Sequence, residues 1–366
     1  MKIDKSERLL EVLEKIKRRQ ARKAILHKLS SYGINWNDQK RHLEVPDLRD
    51  TQLRLARLTN GNANKFDDKV KSYFAQPAEI DPMRINPYLV EVKSNELSGK
   101  IWSYAMTFWS VPVSAGYGRR LRFIVFDRQN NKVIGVFGLC DPLIGSTLRD
   151  NFVGWNREQK IERLYNCLTA YVLGSVPPYN TLLGSKLVAL CAMLPEVRTA
   201  FRKKYVNNET IISGKKKIPE LVMIDTYGAF QKSSIYTRLL NWNFVDYTQG
   251  KSHLHITANG SWEIIKEFVP KEKFSSYAYG QGSNWKLRTL IVGLENLGFN
   301  NDGMLTIGWK RAYYTCPLAV NWREFLTMKD AKPKFIKYSR TELVTYWRTR
   351  WLLPRLDRLL ERLGEV

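Results

Sequence analysis

VPVSAGYGRRLRFIVFD, residues 111–127, and VIGVFGL, residues 133–139, decide the fold. In the first, Leu121, Phe123 and Val125 alternate with Arg122, Ile124 and Phe126, a period of two that suits a strand. DRQNN, residues 127–131, is a turn sequence, and residues 133–139 return as a second strand. The pair predicts an antiparallel hairpin. Gly116 and Gly118 precede it and permit backbone geometries closed to other residues, bringing the chain close to a ligand. Arg119 and Arg120 then leave a stiff strand in opposite directions. One is expected to make a bidentate contact with phosphate while the other pairs internally.

Outward from the hairpin, residues 6–29 read as a helix with Leu9, Leu13, Ile16, Ile25 and Leu29 near one stripe and a face rich in Lys and Arg. A second helix is expected over 48–58. Residues 77–87, with three prolines, look like a linker, and from residue 101 the period looks strand-like. After the hairpin, residues 142–156 read as irregular. A helical pattern begins at 157–164, a buried strand at 171–176, a loop at 177–180 and a helix at 182–193. Residues 203–218 look exposed. Strands are expected at 220–226, 244–248 and 254–257, and a short helix at 233–240. Further on, 285–297 reads as a helix, 304–317 as a strand and 340–363 as a basic amphipathic helix interrupted by Pro354. This order predicts an α/β (α+β) protein whose mixed sheet carries packed helices. The expected divisions are 1–76, a basic helical arm; 77–265, the core; and 266–366, a C-terminal extension.

The chain has 366 residues, 44% of them hydrophobic, enough for a sizeable core. No run reaches the ~18 apolar residues of a membrane span, and MKIDKSERLLEVLEK is too charged for a secretory signal. Cys140, Cys167, Cys191 and Cys316 are scattered without a CxxC pair, which suits reduced thiols in the cytoplasm. The 59 Lys and Arg outnumber the 35 Asp and Glu, for a net charge of +24. That excess points to a polyanion, DNA or RNA, more than to a membrane surface. Eleven Trp and eighteen Tyr add faces on which bases could stack.

VPVSAGYGRRLRFIVFD together with RDNFVGW (149–155), VPPYNTLLGSKL (176–187) and KSSIYTRL (232–239) resembles the DruA family, named for a component of the Druantia anti-phage system. The resemblance runs from about residue 81 to about residue 326. It implies a bacterial or phage origin, a role near foreign DNA, and partners that include a large helicase-like protein, with no settled biochemical activity. Ser185 stands where glycine is expected, and Tyr227-Gly228-Ala229-Phe230 replaces a Ser-Ala-Leu-Gly-Arg type of run. The order of elements also resembles the GNAT acyltransferase fold, including the phage Mom proteins that modify adenines in DNA. That likeness implies a largely antiparallel GNAT-like sheet with flanking helices. It also implies a cofactor loop at Tyr179, Asn180, Gly184, Ser185 and Lys186, where backbone amides at a helix start would meet an anion. The loop has one glycine and no arginine, and the cofactor is unknown.

Among chemical candidates, His253 and His255 fall at i, i+2 of an expected strand, with no further ligands to hold a metal. Nothing near Cys140 would depress a thiol pKa. Asp141 ends the second hairpin strand. Arg149, Asp150 and Trp155 place a cation, a carboxylate and a ring in one turn region, for binding or for pinning a loop. Ser233 suits an N-cap, while Ser234 and Tyr236 are candidates for phosphate contact or proton transfer. Arg119, Arg120, Arg122, Lys186, Arg238, Lys310 and Arg311 are expected to line a groove for a nucleic-acid backbone, with Arg149 and Trp155 assisting. The first expectation is a non-catalytic nucleic-acid-binding component of a defence system. The second is an enzyme modifying a nucleobase, and the third a metal-dependent nuclease using Asp141, Asp150 and Asp225.

Overall fold

The structure is a computed structural model, and it describes residues 5–113, 118–210, 214–248, 253–271, 285–307 and 310–364. Two compact units divide it: Met1–Thr59, Ser110–Pro112 and Gln249–Lys310 form one, and Asn60–Trp109, Val113–Thr248 and Arg311–Val366 form the other. None of its described helices is long and apolar enough to cross a membrane.

The first unit is mostly helical. Its Lys5–Ser30 helix is joined to a small ribbon of β1 (Asn35–Asn37) and β2 (His42–Glu44), then to the Leu48–Thr59 helix. Ile25 and Leu29 sit one turn apart and bury against Ile256, Ile265, Leu290, Leu294 and Met304. Leu9, Leu13 and Ile16, further up the same helix, stay exposed. Residues 254–257 are one helical turn, closed by the Ala258 amide donating to the Leu254 carbonyl, and not a strand. Their short alternation misleads because each residue packs by helical position. His255 is fully buried with Nε2 at 2.9 Å from the Met304 carbonyl, and burial pulls the His253 imidazole below its ordinary pKa.

The second unit is built on a seven-stranded sheet. Its strands are β3 (Pro87–Glu91), β4 (Arg120–Asp127), β5 (Val133–Cys140), β6 (Cys167–Ser175), β7 (Met223–Tyr227), β8 (Asn243–Thr248) and β9 (Arg311–Pro317), in the order β3-β4-β5-β6-β7-β9-β8. All neighbours are antiparallel except β6 and β7, which run parallel over three residue pairs. The fold is thus a mixed α/β arrangement with a largely antiparallel sheet and flanking helices, as the hairpin leads one to expect.

On one face Leu121, Phe123, Val125, Leu168, Ile224 and Cys316 meet the helices Gly184–Cys191, Pro195–Tyr205 and Arg340–Trp347 through Leu187, Val188, Phe201 and Trp347. Each such fully buried side chain stabilises by about 1.5–3 kcal/mol. On the other face Ile124, Phe126, Val136 and Val172 pack on Ile101, Trp102 and Ala105 of a Leu97–Met106 helix. The strand-like expectation from residue 101 fails here: the buried positions recur at helical spacing, i, i+1 and i+4.

Two more local expectations shift for visible reasons, and a third, the interruption of the last helix at Pro354, holds. Residues 142–156 contain a helix, Thr147–Val153, capped by the Ser146 hydroxyl and ended by Gly154 at φ 76°. Residues 233–240 form turns and not a helix, because Gln231, Arg238 and Asn241 all adopt positive φ. The C-terminal helix passes Pro354 through a wide turn at Arg348–Leu352 and a tight one at Leu353–Arg355.

Candidate functional site

Sheet register assembles a polar row that sequence order hides. Arg120 pairs with Cys140, Cys140 with Thr169, Thr169 with Asp225, and Asp225 with Thr315. Directly opposed residues share a face, so these five side chains cross the sheet side by side. Residues two positions along the same strands extend the row: Arg122, Tyr171, Tyr227 and Tyr313. Gly138 sits opposite this bend of β6, and a Cβ there would lie 2.8 Å from the Tyr171 ring. Glycine is needed for the ring to rest on the sheet.

The row has a wet end and a dry end, with Cys140 buried between Arg120 and Thr169. Arg120 is exposed and Arg122, Tyr171, Thr169 and Tyr227 are half-buried, whereas Asp225, Tyr313 and Thr315 are fully buried. Asp225 accepts hydrogen bonds from the Thr169 hydroxyl and from Tyr313 Oη (2.8 Å). Burial raises its pKa, with the nearby Arg149 charge and the two hydroxyls offsetting part of the rise. Burial, reinforced by Asp225, pushes the Tyr313 phenol well up, and the same two causes carry Tyr227 up to about 12.

Because the folded pKa of Asp225 lies above the value near 4 of an unfolded chain, the native state holds its proton more tightly. Stability from this group therefore falls as pH rises from about 4 through the folded value. We expect Asp225→Asn to lack that loss: in urea unfolding from pH 4 to 8, wild type should weaken relative to the variant as pH rises. A gap that moves the other way contradicts the burial argument.

The loop above the row is held by Arg149, whose side chain is fully buried. Its Nη1 donates to the Leu143 carbonyl (2.6 Å), its Nη2 to the Ile144 carbonyl (3.1 Å) and to Asp150 Oδ1 (3.0 Å). Asp150 also accepts from Trp155 Nε1 (3.1 Å) and Lys160 Nζ (2.5 Å). Burial opposes the Asp150 charge, but the bonds from Lys160, Arg149 and Trp155 outweigh it and hold the carboxyl below its ordinary range. Trp155 is buried with them. Arg149, Asp150 and Trp155 thus pin a loop, and their donors and ring are engaged inside the protein.

Arg119 and Arg120 do point apart. The Arg119 backbone N–H donates to Asp141 Oδ2 (2.9 Å) and its Nε to Asp141 Oδ1 (2.8 Å), while its guanidinium lies 3.9 Å over the Tyr165 ring. A Cβ on Gly118 (φ 65°) would meet Asp141 Oδ2 at 2.0 Å, so this glycine admits the carboxylate. Gly116 falls outside the described residues. Arg122 on the opposite face is aimed by Ser94, to whose Oγ its Nη2 donates (2.6 Å), and lies 5.5 Å from the Trp102 ring.

The expected cofactor loop is closed on itself. The amides of Asn180, Thr181, Leu182, Gly184 and Lys186 all donate to carbonyls within residues 176–183, so they form no open cradle. Tyr179 is buried and donates to Asp127 (2.9 Å). Ser185 Oγ accepts from the Ser175 amide (3.0 Å), which gives the serine at this position a pinning task. Lys186 is buried, its amine donating to the carbonyls of Ser234 (2.6 Å), Ile235 and Thr237 (both 3.1 Å) and lying 3.8 Å from the Trp351 ring. Tyr236 is packed among Trp242 and Tyr314 with its phenol pushed up by burial. Ser234 and Arg238 are exposed, Arg311 is half-buried, and Lys310 is exposed in the helical unit. Asp141, Asp150 and Asp225 each have their own cation or hydroxyls. Among the described residues, no three His, Cys, Asp or Glu side chains converge as a metal site.

Sequence reasoning found Arg120, Arg122 and Asp225 but missed Thr169, Tyr171, Tyr227 and Tyr313. A lone carboxylate in the apolar strand VMIDTY is a readable signal, while its partners become visible only through strand register.

A mixed sheet carrying a polar row and a basic exposed end is the class of protein that these features define. A family model described as Druantia protein DruA matches residues 37–328, which include all seven strands of the sheet. The Druantia protein DruA of Escherichia coli (strain UMEA 4076-1) is 36% identical over 295 residues, covering 78% of this chain and 73% of that protein. The chain belongs to the DruA family. No solved structure matches it.

Proposed function

We propose that the chain is a nucleic-acid-binding component of a bacterial or phage-encoded anti-phage system of the Druantia kind, working with further system proteins that include a helicase. The observation that carries this reading is the exposed end of the polar row. Arg120 and Arg122 occupy the same face of one strand, about 6.8 Å apart along the backbone, in a chain of net charge +24. Ser94 and Trp102 hold the Arg122 guanidinium in place, so little side-chain entropy is lost on meeting a phosphate. Half-buried Tyr171, whose phenol pKa is raised by burial, adds a donor and a ring beside them. Arg119, Arg149 and Lys186 drop out of the groove first expected from sequence, because they are engaged internally. Sequencing the nucleic acid that co-purifies with the protein from cells tests the reading. Recovery of DNA or RNA well above that of an Arg120→Glu/Arg122→Glu control is expected; equal recovery from both rejects it.

A second reading, a GNAT-like core that modifies a nucleobase, draws support from one feature. The parallel β6–β7 pair covers three residue pairs and then separates, with a loop and the Gly184–Cys191 helix following β6. The internally bonded loop amides weigh against an acyl-type cofactor there. Nucleoside masses from DNA exposed to the protein separate the two readings.

A further inference from the structure

We propose that the wet end of the polar row seats one unpaired nucleobase on the Tyr171 ring, while Arg122 and Arg120 hold the flanking phosphates. This rests on the nucleic-acid reading above and adds the kind of strand recognised, one in which a base has left its pair.

Tyr171 is placed by a break in the sheet register. Gly138 pairs with Val172 and Leu139 with Ala170, so Tyr171 is the extra residue of a bulge between β5 and β6. Bulges re-aim a side chain and are over-represented beside active sites. Here the bulge lays the end of the ring over Gly138, where a Cβ would come within 2.8 Å of it. Rings nearby already have partners: Trp102 carries Arg122, Tyr165 carries Arg119, and Tyr227 packs on Tyr313. Tyr171 differs. Among the described residues no ring or cation lies on it and no group bonds its hydroxyl, although the Arg122 and Arg120 charges are close enough to act on its phenol.

A base needs a π face to stack on and polar groups for its edge. In strand order Tyr171 stands between Arg122 on β4 and Tyr227 on β7. The half-buried Thr169 hydroxyl gives its proton to Asp225, which leaves its oxygen free to accept, and Tyr227 Oη shares a hydrogen bond with Ser146 Oγ (3.1 Å). A paired base inside a duplex has both faces covered by its neighbours, so only an extruded or unpaired one can stack on a ring seated in a sheet. The loop that leaves β5 after Cys140 and returns to the row at Ser146 exposes Leu143 (42%) and Ile144 (45%), while buried Arg149 holds both their carbonyls. Two apolar side chains on a fixed backbone at the edge of a basic site suit insertion into the base step that the extruded base leaves.

Fluorescence anisotropy of the full chain with matched DNA duplexes tests the site: one fully paired, one with a single bulged adenine, and one with an abasic residue in place of that adenine. Wild type is expected to bind the bulged adenine about tenfold more tightly than the abasic duplex. Tyr171→Leu should erase that ratio, and Tyr171→Phe, which keeps the ring, should retain it. Both variants should keep the wild-type salt slope on the paired duplex, because the arginines are untouched. The first comparison uses wild type alone, so the test stands if Tyr171→Leu unfolds. Equal affinity for the bulged and abasic duplexes, or a preference that survives in Tyr171→Leu, overturns this proposal and leaves the nucleic-acid reading in place. Failure to bind any of the duplexes overturns both.

Discussion

Arg149→Ala should lower the free energy of unfolding by about 3–5 kcal/mol, the loss seen when one partner of a buried ion pair is removed. The guanidinium is fully buried and is the donor for the Leu143 and Ile144 carbonyls and for Asp150. Without it those acceptors are stranded, and Asp225 beneath loses the positive charge that favours its carboxylate. Arg149→Lys should recover part of the loss, since an ammonium cannot reproduce the planar fork. Urea midpoints at constant m value provide the measurement. A loss under about 1 kcal/mol, ordinary for a substitution without such a mechanism, would mean that this residue does not organise the loop over the polar row.

Lys186→Met should cost about 2–4 kcal/mol, because three carbonyls of the 233–237 turn lose their shared donor and at least one is left unsatisfied. The pH dependence has a definite sign. Burial, with some help from Arg355, lowers the Lys186 pKa to about 8, below the value near 10.4 in an unfolded chain. Between those values the unfolded state binds more protons, so this group's contribution to stability rises with pH. Wild type should therefore gain on Lys186→Met from pH 8 towards pH 10. A constant difference across that window rejects a depressed amine, and an unchanged midpoint at pH 7 rejects the tether.

The hairpin at 120–140 was readable because both strands announce themselves locally, through alternation and a polar turn. The divergence of Arg119 and Arg120 follows from the same period of two. The Lys5–Ser30 helix was readable for its uninterrupted stripe. Other elements depended on distant contacts. Ile101, Trp102 and Ala105 bury a helix because the sheet lies beneath them, and Leu254–Thr257 coils because His255 finds the Met304 carbonyl. The polar row is the extreme case: Asp225 meets Thr169 and Tyr313 across 56 and 88 residues of sequence. No local pattern encodes that register. The likeness to the GNAT fold made the loop at 176–186 an expected anion site, yet its amides close on neighbouring carbonyls, a result set by backbone geometry more than residue type.

The most direct measurement is the salt dependence of nucleic-acid affinity in a folded Arg120→Gln/Arg122→Gln variant. If these two guanidinium groups neutralise two phosphates, the slope of log K against log salt for duplex DNA becomes shallower by about 1.8, and affinity falls alike for every sequence. An unchanged slope and affinity would contradict the account.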